Sequence, residues 1–218
     1  MKKQNKKNLY TAISFLMAFI LWTFAVKFID VQAIGPQSSS VGFAALNRLV
    51  HNLTGVHMSL YTITDWLGLV PIAFAFGFAL LGLMQWIKRK KLKKVDYSIF
   101  VLGGFYIVVM SVYAFFEIIV INYRPVLIEG FLEASYPSST TMLVMCVMPT
   151  AIMQFNNRIK NKKLRRFIAG LITSFIVFMV AARLISGVHW FTDIVAGTIL
   201  STGLVVLYRF AIGLNKTI

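Results

Sequence analysis

Six long apolar stretches alternate with short polar ones along this chain, and the alternation predicts its architecture. Apolar residues dominate at about 9–28, 61–87, 97–122, 138–155, 167–185 and 190–211. Each approaches or exceeds the roughly 20 residues that a helix needs to cross about 30 Å of hydrocarbon. The expected fold is therefore all-α: a polytopic membrane protein whose residues 1–218 form one membrane domain, a single bundle of six transmembrane helices. The longest connection follows the first stretch. Within it Phe43, Leu46, Leu49, Val50 and Leu53 recur at roughly helical spacing, which predicts a short amphipathic segment over about 40–54 lying at the outer interface. His51 and His57 fall there and read as solvated interfacial histidines.

Several residues punctuate this pattern. The first stretch follows a basic N-terminus, but its length and the spans after it predict an uncleaved helix rather than a signal peptide. Arg124-Pro125 is expected to stop the third stretch, because proline lacks an N–H and disfavours helical geometry in the residue before it. Pro137 suits the first turn of the fourth. Ser186-Gly187-Val188 predicts a tight turn between the fifth and the sixth.

Composition agrees with this reading. With 58% hydrophobic and 13% charged residues and a mean hydropathy of +0.77, the chain lies outside the range of soluble globular domains. A net charge of +15 raises the question of nucleic acid, but the distribution of that charge answers it. The clusters Lys2, Lys3, Lys6 and Lys7, then 88–94 and 158–166, together with Arg209 and Lys216, hold 18 of the 22 Lys and Arg residues. They carry no interleaved aromatics on which bases would stack, so no nucleic-acid partner is expected. The positive-inside rule instead places these loops and both termini in the cytoplasm, with membrane lipids as neighbours. Cys146 is the single cysteine and the three histidines are scattered, so neither an intrachain disulfide nor a metal cluster is expected, and no cofactor.

The topology gathers a different set of residues at the opposite, outer side. Arg124 follows the third stretch, Ser138, Ser139 and Thr140 open the fourth, Arg183 is near the end of the fifth, and His189 and Asp193 begin the sixth. Ionisable groups at such depths are costly and point to function. Arginine offers a planar fork to phosphate oxygens, and a helix N-terminus directs free N–H groups at an anion. His189 and Asp193, four positions apart, would share a helical face. A carboxylate there can hold one ring nitrogen protonated and leave the other free to attack.

This set resembles the type 2 phosphatidic acid phosphatase (PAP2) family, whose three signatures read K-x6-R-P, P-S-G-H and S-R-x5-H-x3-D. Ala182-Arg183 through His189 to Asp193 keeps the third at Arg, His and Asp. Arg124-Pro125 keeps the end of the first, and Pro137-Ser138 the start of the second. The resemblance covers about 95–211 and implies a PAP2-like bundle acting on a lipid phosphate. It further implies that His189 is the nucleophile of a phosphohistidine intermediate, oriented by Asp193, with Arg124, Arg183, Ser138 and the backbone at Ser139 on the phosphate.

Two positions depart from the family pattern. Thr140 stands where the family has the histidine that protonates the leaving group. A lipid monophosphate leaving from a diphosphate does not need that proton, so Thr140 favours a polyprenyl diphosphate such as undecaprenyl pyrophosphate as substrate. Glu117 stands where the family has lysine, and three readings are open: it is protonated and serves as a substitute acid, it pairs with Arg124 or Arg183, or it faces another helix. Pairing is favoured, because two helical turns would set Glu117 on the face of Arg124, roughly 10 Å deeper. The alternative function is a catalytically silent relative that binds or transports lipid phosphates or scaffolds a partner.

Overall fold

The computed structural model describes residues 3–214, so Lys2 and Lys216 of the basic clusters lie outside the described residues. The α-helices are α1 (Lys3–Phe28), α2 (Ala44–Thr54), α3 (Met58–Leu67), α4 (Leu69–Arg89), α5 (Tyr97–Ile118), α6 (Ser139–Arg158), α7 (Lys162–Ile185) and α8 (Phe191–Leu214), with short 3-10 turns at Pro36–Ser38 and Leu92–Lys94. Among the described residues, β pairing is limited to three isolated antiparallel bridges.

Five helical stretches are long and apolar enough to cross a membrane: α1, the combined stretch Met58–Arg89, α5, α7 and α8. The fourth expected span exists as the helix α6, but it does not reach that apolarity. Its position explains why. Thr141, Thr150 and Gln154 are buried together with its apolar residues, so α6 is enclosed by neighbouring helices and need not face lipid on all sides. α8 is likewise deeply buried. It passes close to α1 at Gly203, where an added Cβ would lie 3.1 Å from side-chain atoms of Phe15 and Leu16. Small residues let transmembrane helices approach in this way.

The expected third span ends earlier in the structure. α5 stops at Ile118, six residues before Arg124, at the start of the run Ile118-Ile119-Val120-Ile121. β-branched side chains are stiff in a helix and suit extended backbone, and the chain becomes extended here. Tyr123 bridges Ala134, with Arg124 N–H donating to Glu133 C=O at 3.0 Å and Ser135 N–H donating to Asn122 C=O at 2.9 Å. The segment between them folds back through Glu129 and Gly130, both at positive φ, as a tight hairpin turn requires.

The amphipathic segment is the helix α2, and it is more than a surface feature. Asn47 is fully buried. Its amide donates to Gly42 C=O at 2.8 Å and to Thr192 Oγ1 at 3.0 Å, and its carbonyl accepts from Thr192 N–H at 3.2 Å, which fastens α2 to the start of α8. His51 corrects the solvated reading: it is half-buried and its ring stands 5.5 Å from that of Trp190. His57 is exposed, as expected.

The turn between α7 and α8 depends on Gly187, which sits at φ +68° with its Cα against the backbone of Gly55. An added Cβ would lie 1.8 Å from the Gly55 carbonyl oxygen. Neither backbone can yield cheaply, since His57 N–H also donates to Ser186 C=O at 2.9 Å across the same contact. Gly187→Ala is therefore expected to cost about 2 kcal/mol or more, read as a lowered unfolding temperature in detergent. Gly170→Ala, at an open helical position, should not lower it.

Candidate active site

The helix ends sort the charged residues into two groups. At one end, Asp96 pairs with Arg89 at 2.9 Å and with Arg158 at 3.5 Å, beside the basic connections from α4 to α5 and from α6 to α7. At the other end lie the N-terminal end of α6, the C-terminal end of α7, the start of α8 and the hairpin that carries Arg124.

The hairpin sets much of the site through its period of two. Since successive side chains of an extended segment alternate in direction, Asn122 and Arg124 share a face with Glu133 and Ser135, opposite Tyr123 and Ala134. Three of these four converge on the start of α8. Asn122 Nδ2 donates to Asp193 Oδ1 at 3.1 Å, Ser135 Oγ donates to Asp193 Oδ2 at 2.5 Å, and Arg124 Nη1 reaches His189 Nε2 at 3.1 Å.

His189 precedes α8 rather than lying within it, so it and Asp193 are not on one helical face as the spacing suggested. Asp193 is in the first turn of α8 and accepts a 3.0 Å bond from Trp190 N–H. Reaching back three residues, it caps the helix. Trp190 is itself pinned by its indole N–H to Tyr123 C=O at 2.8 Å.

Two guanidiniums converge on His189. Arg183 Nη2 lies 3.4 Å from Nε2, and Arg124 Nη1 approaches the same nitrogen. A guanidinium can only donate, so Nε2 is the unprotonated nitrogen and Nδ1 carries the hydrogen, which it donates to Ser135 Oγ at 3.0 Å. The network thus assigns the tautomer. Burial and the positive charges of Arg124 and Arg183 hold the imidazole pKa well below the usual 6.5, so the ring is neutral with its lone pair directed at the arginines.

Counter-charges hold the two arginines side by side. Arg124 Nε lies 3.0 Å from Glu133, Arg183 Nη1 is 3.2 Å from Thr64 Oγ1 and 3.9 Å from Asp65, and the Tyr61 ring lies 4.8 Å from the Arg183 guanidinium carbon and 5.8 Å from that of Arg124. Arg183 is 1% exposed, and its Nε has no hydrogen-bond acceptor among the described residues. An anion beside His189 would meet two forks carrying unused donors.

The N-terminus of α6 joins this end through Ser138, whose N–H donates to Asp193 C=O at 3.1 Å. Ser138 is buried and caps the helix, its hydroxyl 3.5 Å from Thr141 N–H. Ser139 and Thr140 occupy the first two helical positions, where backbone N–H groups have no intrahelical acceptor. Both line a cleft of about 360 Å³ that continues past Asp65 to Leu69, Ile72, Val109 and Met110.

The favoured reading of Glu117 does not hold. Glu117 is exposed and interacts with Tyr113, one turn earlier, and Glu133 is the residue that pairs with Arg124. Because α5 ends at Ile118, no helical register connects positions 117 and 124. Sequence reasoning also missed Ser135, Asn122, Tyr61 and Thr64. The first two could have been found from period-two spacing, since Asn122 lies two residues before Arg124 and Ser135 two before Pro137. Tyr61 and Thr64 carry no such signal.

Comparison with known proteins bears on this arrangement. Residues 118–215 match the sequence model of the PAP2 superfamily. The structure resembles the crystal structure of a transmembrane PAP2-type phosphatidylglycerolphosphate phosphatase from Bacillus subtilis, with a TM-score of 0.55 and 17% sequence identity over 96% of this chain and 98% of that one. No curated protein matches the chain in sequence. The matched part, residues 118–215, holds His189, Asp193, both arginines and the α6 N-terminus, so the similarity to the PAP2 superfamily falls on the stretch that builds the site.

Proposed function

We propose that the protein is a lipid phosphatase that attacks a lipid-linked phosphate through His189 at the outer face of the cytoplasmic membrane. One observation carries this reading: the unprotonated Nε2 of His189 faces two guanidiniums, the placement a nucleophile needs beside a phosphoryl group. Arg124 and Arg183 bind the phosphate oxygens, with help from Ser138 and the backbone N–H of Ser139. Nε2 attacks phosphorus as the bond to the lipid oxygen breaks, and that oxygen departs with the bonding pair. Water then adds to the phosphohistidine, the P–N bond breaks, its electron pair returns to Nε2, and the proton lost by the water leaves with phosphate.

The cleft that runs from Ser139 and Thr140 to Leu69 and Val109 supports a lipid, with its head at the polar end and its chain along the apolar one. Counting α6 with the five apolar stretches gives six passes. The basic connections then lie in the cytoplasm, and so do both termini. The active site is left facing outside.

Thr140 supports the favoured substrate, a polyprenyl diphosphate such as undecaprenyl pyrophosphate. A general acid contributes about 10² to 10⁴ in rate when the leaving group needs a proton, and a lipid monophosphate needs it far less than an alkoxide does. Purified protein should therefore release phosphate from a polyprenyl diphosphate at least about tenfold faster than from phosphatidate. Equal rates would overturn the diphosphate preference. No release from any lipid phosphate would favour the second reading, a silent relative that binds or transports lipid phosphates, to which the replacements Glu117 and Thr140 point.

A further inference from the structure

Between His189 and Asp193 stands a side chain that the PAP2 signatures do not include. The imidazole and the carboxylate make no direct hydrogen bond or ion pair among the described residues. Ser135 fills the gap: its Oγ is 3.0 Å from His189 Nδ1 and 2.5 Å from Asp193 Oδ2, and the residue is 2% exposed.

We propose that Ser135 is the positioning residue through which Asp193 acts on His189, passing the carboxylate's hold on to the imidazole as a chain of two hydrogen bonds. The directions of both bonds follow from chemistry. Nε2 faces guanidinium donors, so Nδ1 carries the hydrogen and gives it to Ser135 Oγ. The ionised carboxylate is acceptor-only, so the Ser135 hydroxyl gives its own hydrogen to Asp193. A hydroxyl is suited to this place because it accepts and donates at one atom.

The surroundings keep the chain in this arrangement. Ser135 is fixed by its backbone N–H to Asn122 C=O, and Asn122 in turn donates its side-chain amide to Asp193. The remaining approach to the carboxylate is taken by Trp190 N–H. Every donor around Asp193 thus favours its ionised form, and Ser135 is the member that touches the nucleophile. When Nε2 bonds to phosphorus, the ring gains positive charge. The carboxylate balances that charge through the hydroxyl, with the Nδ1 proton moving towards Ser135 Oγ and the Ser135 proton towards Asp193.

This inference rests on the phosphatase reading, and the test separates the two. Full-length protein in detergent is compared as wild type, Ser135→Ala, Ser135→Thr, Asp193→Asn and the double variant Ser135→Ala/Asp193→Asn. Measurements are kcat and KM for phosphate release from polyprenyl diphosphate, and the 15N spectrum of labelled histidine, with His189 assigned from the signal lost in His189→Gln. Ser135→Ala should lower kcat by about 100-fold with KM little changed, and Ser135→Thr, which restores the hydroxyl, should recover most of it. The double variant should be no slower than the slower single one, because the two groups act in series.

The spectrum should show His189 protonated at Nδ1 in the wild type and a mixture of tautomers in Ser135→Ala. A kcat within about threefold of wild type, multiplying losses in the double variant, or an unchanged tautomer would each overturn the role of Ser135. Should the wild type hydrolyse nothing, the phosphatase reading falls and the tautomer comparison still decides the relay.

Discussion

Replacing His189 with alanine is expected to reduce phosphate release to the background of the assay, a loss of roughly 10⁵-fold or more, as for other enzymes stripped of a nucleophile. The expectation follows from the geometry at Nε2. Arg124 Nη1 and Arg183 Nη2 lie 3.1 and 3.4 Å from that nitrogen, which faces only donors and therefore keeps its lone pair free. Lipid binding should survive, because the arginines and the apolar cleft remain. A 32P-labelled substrate should leave an acid-labile, base-stable label on the wild type and none on His189→Ala. Unchanged turnover in the variant would remove the mechanism.

The same residue sets the acid side of the rate profile. Attack needs the neutral imidazole, whose population is full above its pKa and is lost as pH falls through it. Burial and the two arginines hold that pKa well below 6.5, so kcat/KM should stay level through pH 6.5 and decline only at more acid values. A decline centred at or above 6.5 would mean that a different group titrates.

The second large effect is expected from Arg183→Lys, which keeps the charge and removes the fork. One face of this guanidinium serves Thr64 and Asp65 while the other reaches His189, and the Tyr61 ring stacks against it. An ammonium is a single point and cannot meet these partners together. The loss in kcat/KM should be about 10² to 10³, the usual range for deleting a donor to a developing oxyanion. Arg166→Lys, exposed at the far end of α7, should change nothing. A loss under about fivefold at Arg183 would place phosphate elsewhere.

Hydropathy located the helices because a bilayer imposes a simple rule, about 20 apolar residues per crossing. α6, expected at about 138–155, was located too, but it is more polar than the other spans. α6 holds buried Thr150 and Gln154 because it faces other helices, and its polarity reflects that enclosure. The end of α5 was misjudged by extending a helix through Ile119, Val120 and Ile121, residues equally at home in extended backbone. That misjudgement hid the hairpin, and with it the partners of Arg124 and Asp193. The catalytic candidates were legible because spacing fixed Arg183, His189 and Asp193 within one segment. Ser135 was not, since its importance arises from a pairing between 122–124 and 133–135 that brings separate stretches of chain together.

The paired arginines have a further consequence. Their counter-charges, Glu133 and Asp65, and the shared face of Tyr61 steady two cations that would otherwise repel each other. A clamp of this kind recognises tetrahedral oxygens, and inorganic phosphate bears the same oxygens as the group just removed from the lipid. On the proposed reading, freed phosphate would therefore meet the same two guanidiniums that held the head of the lipid. If the phosphatase reading holds, added inorganic phosphate is expected to slow turnover by competing for this clamp.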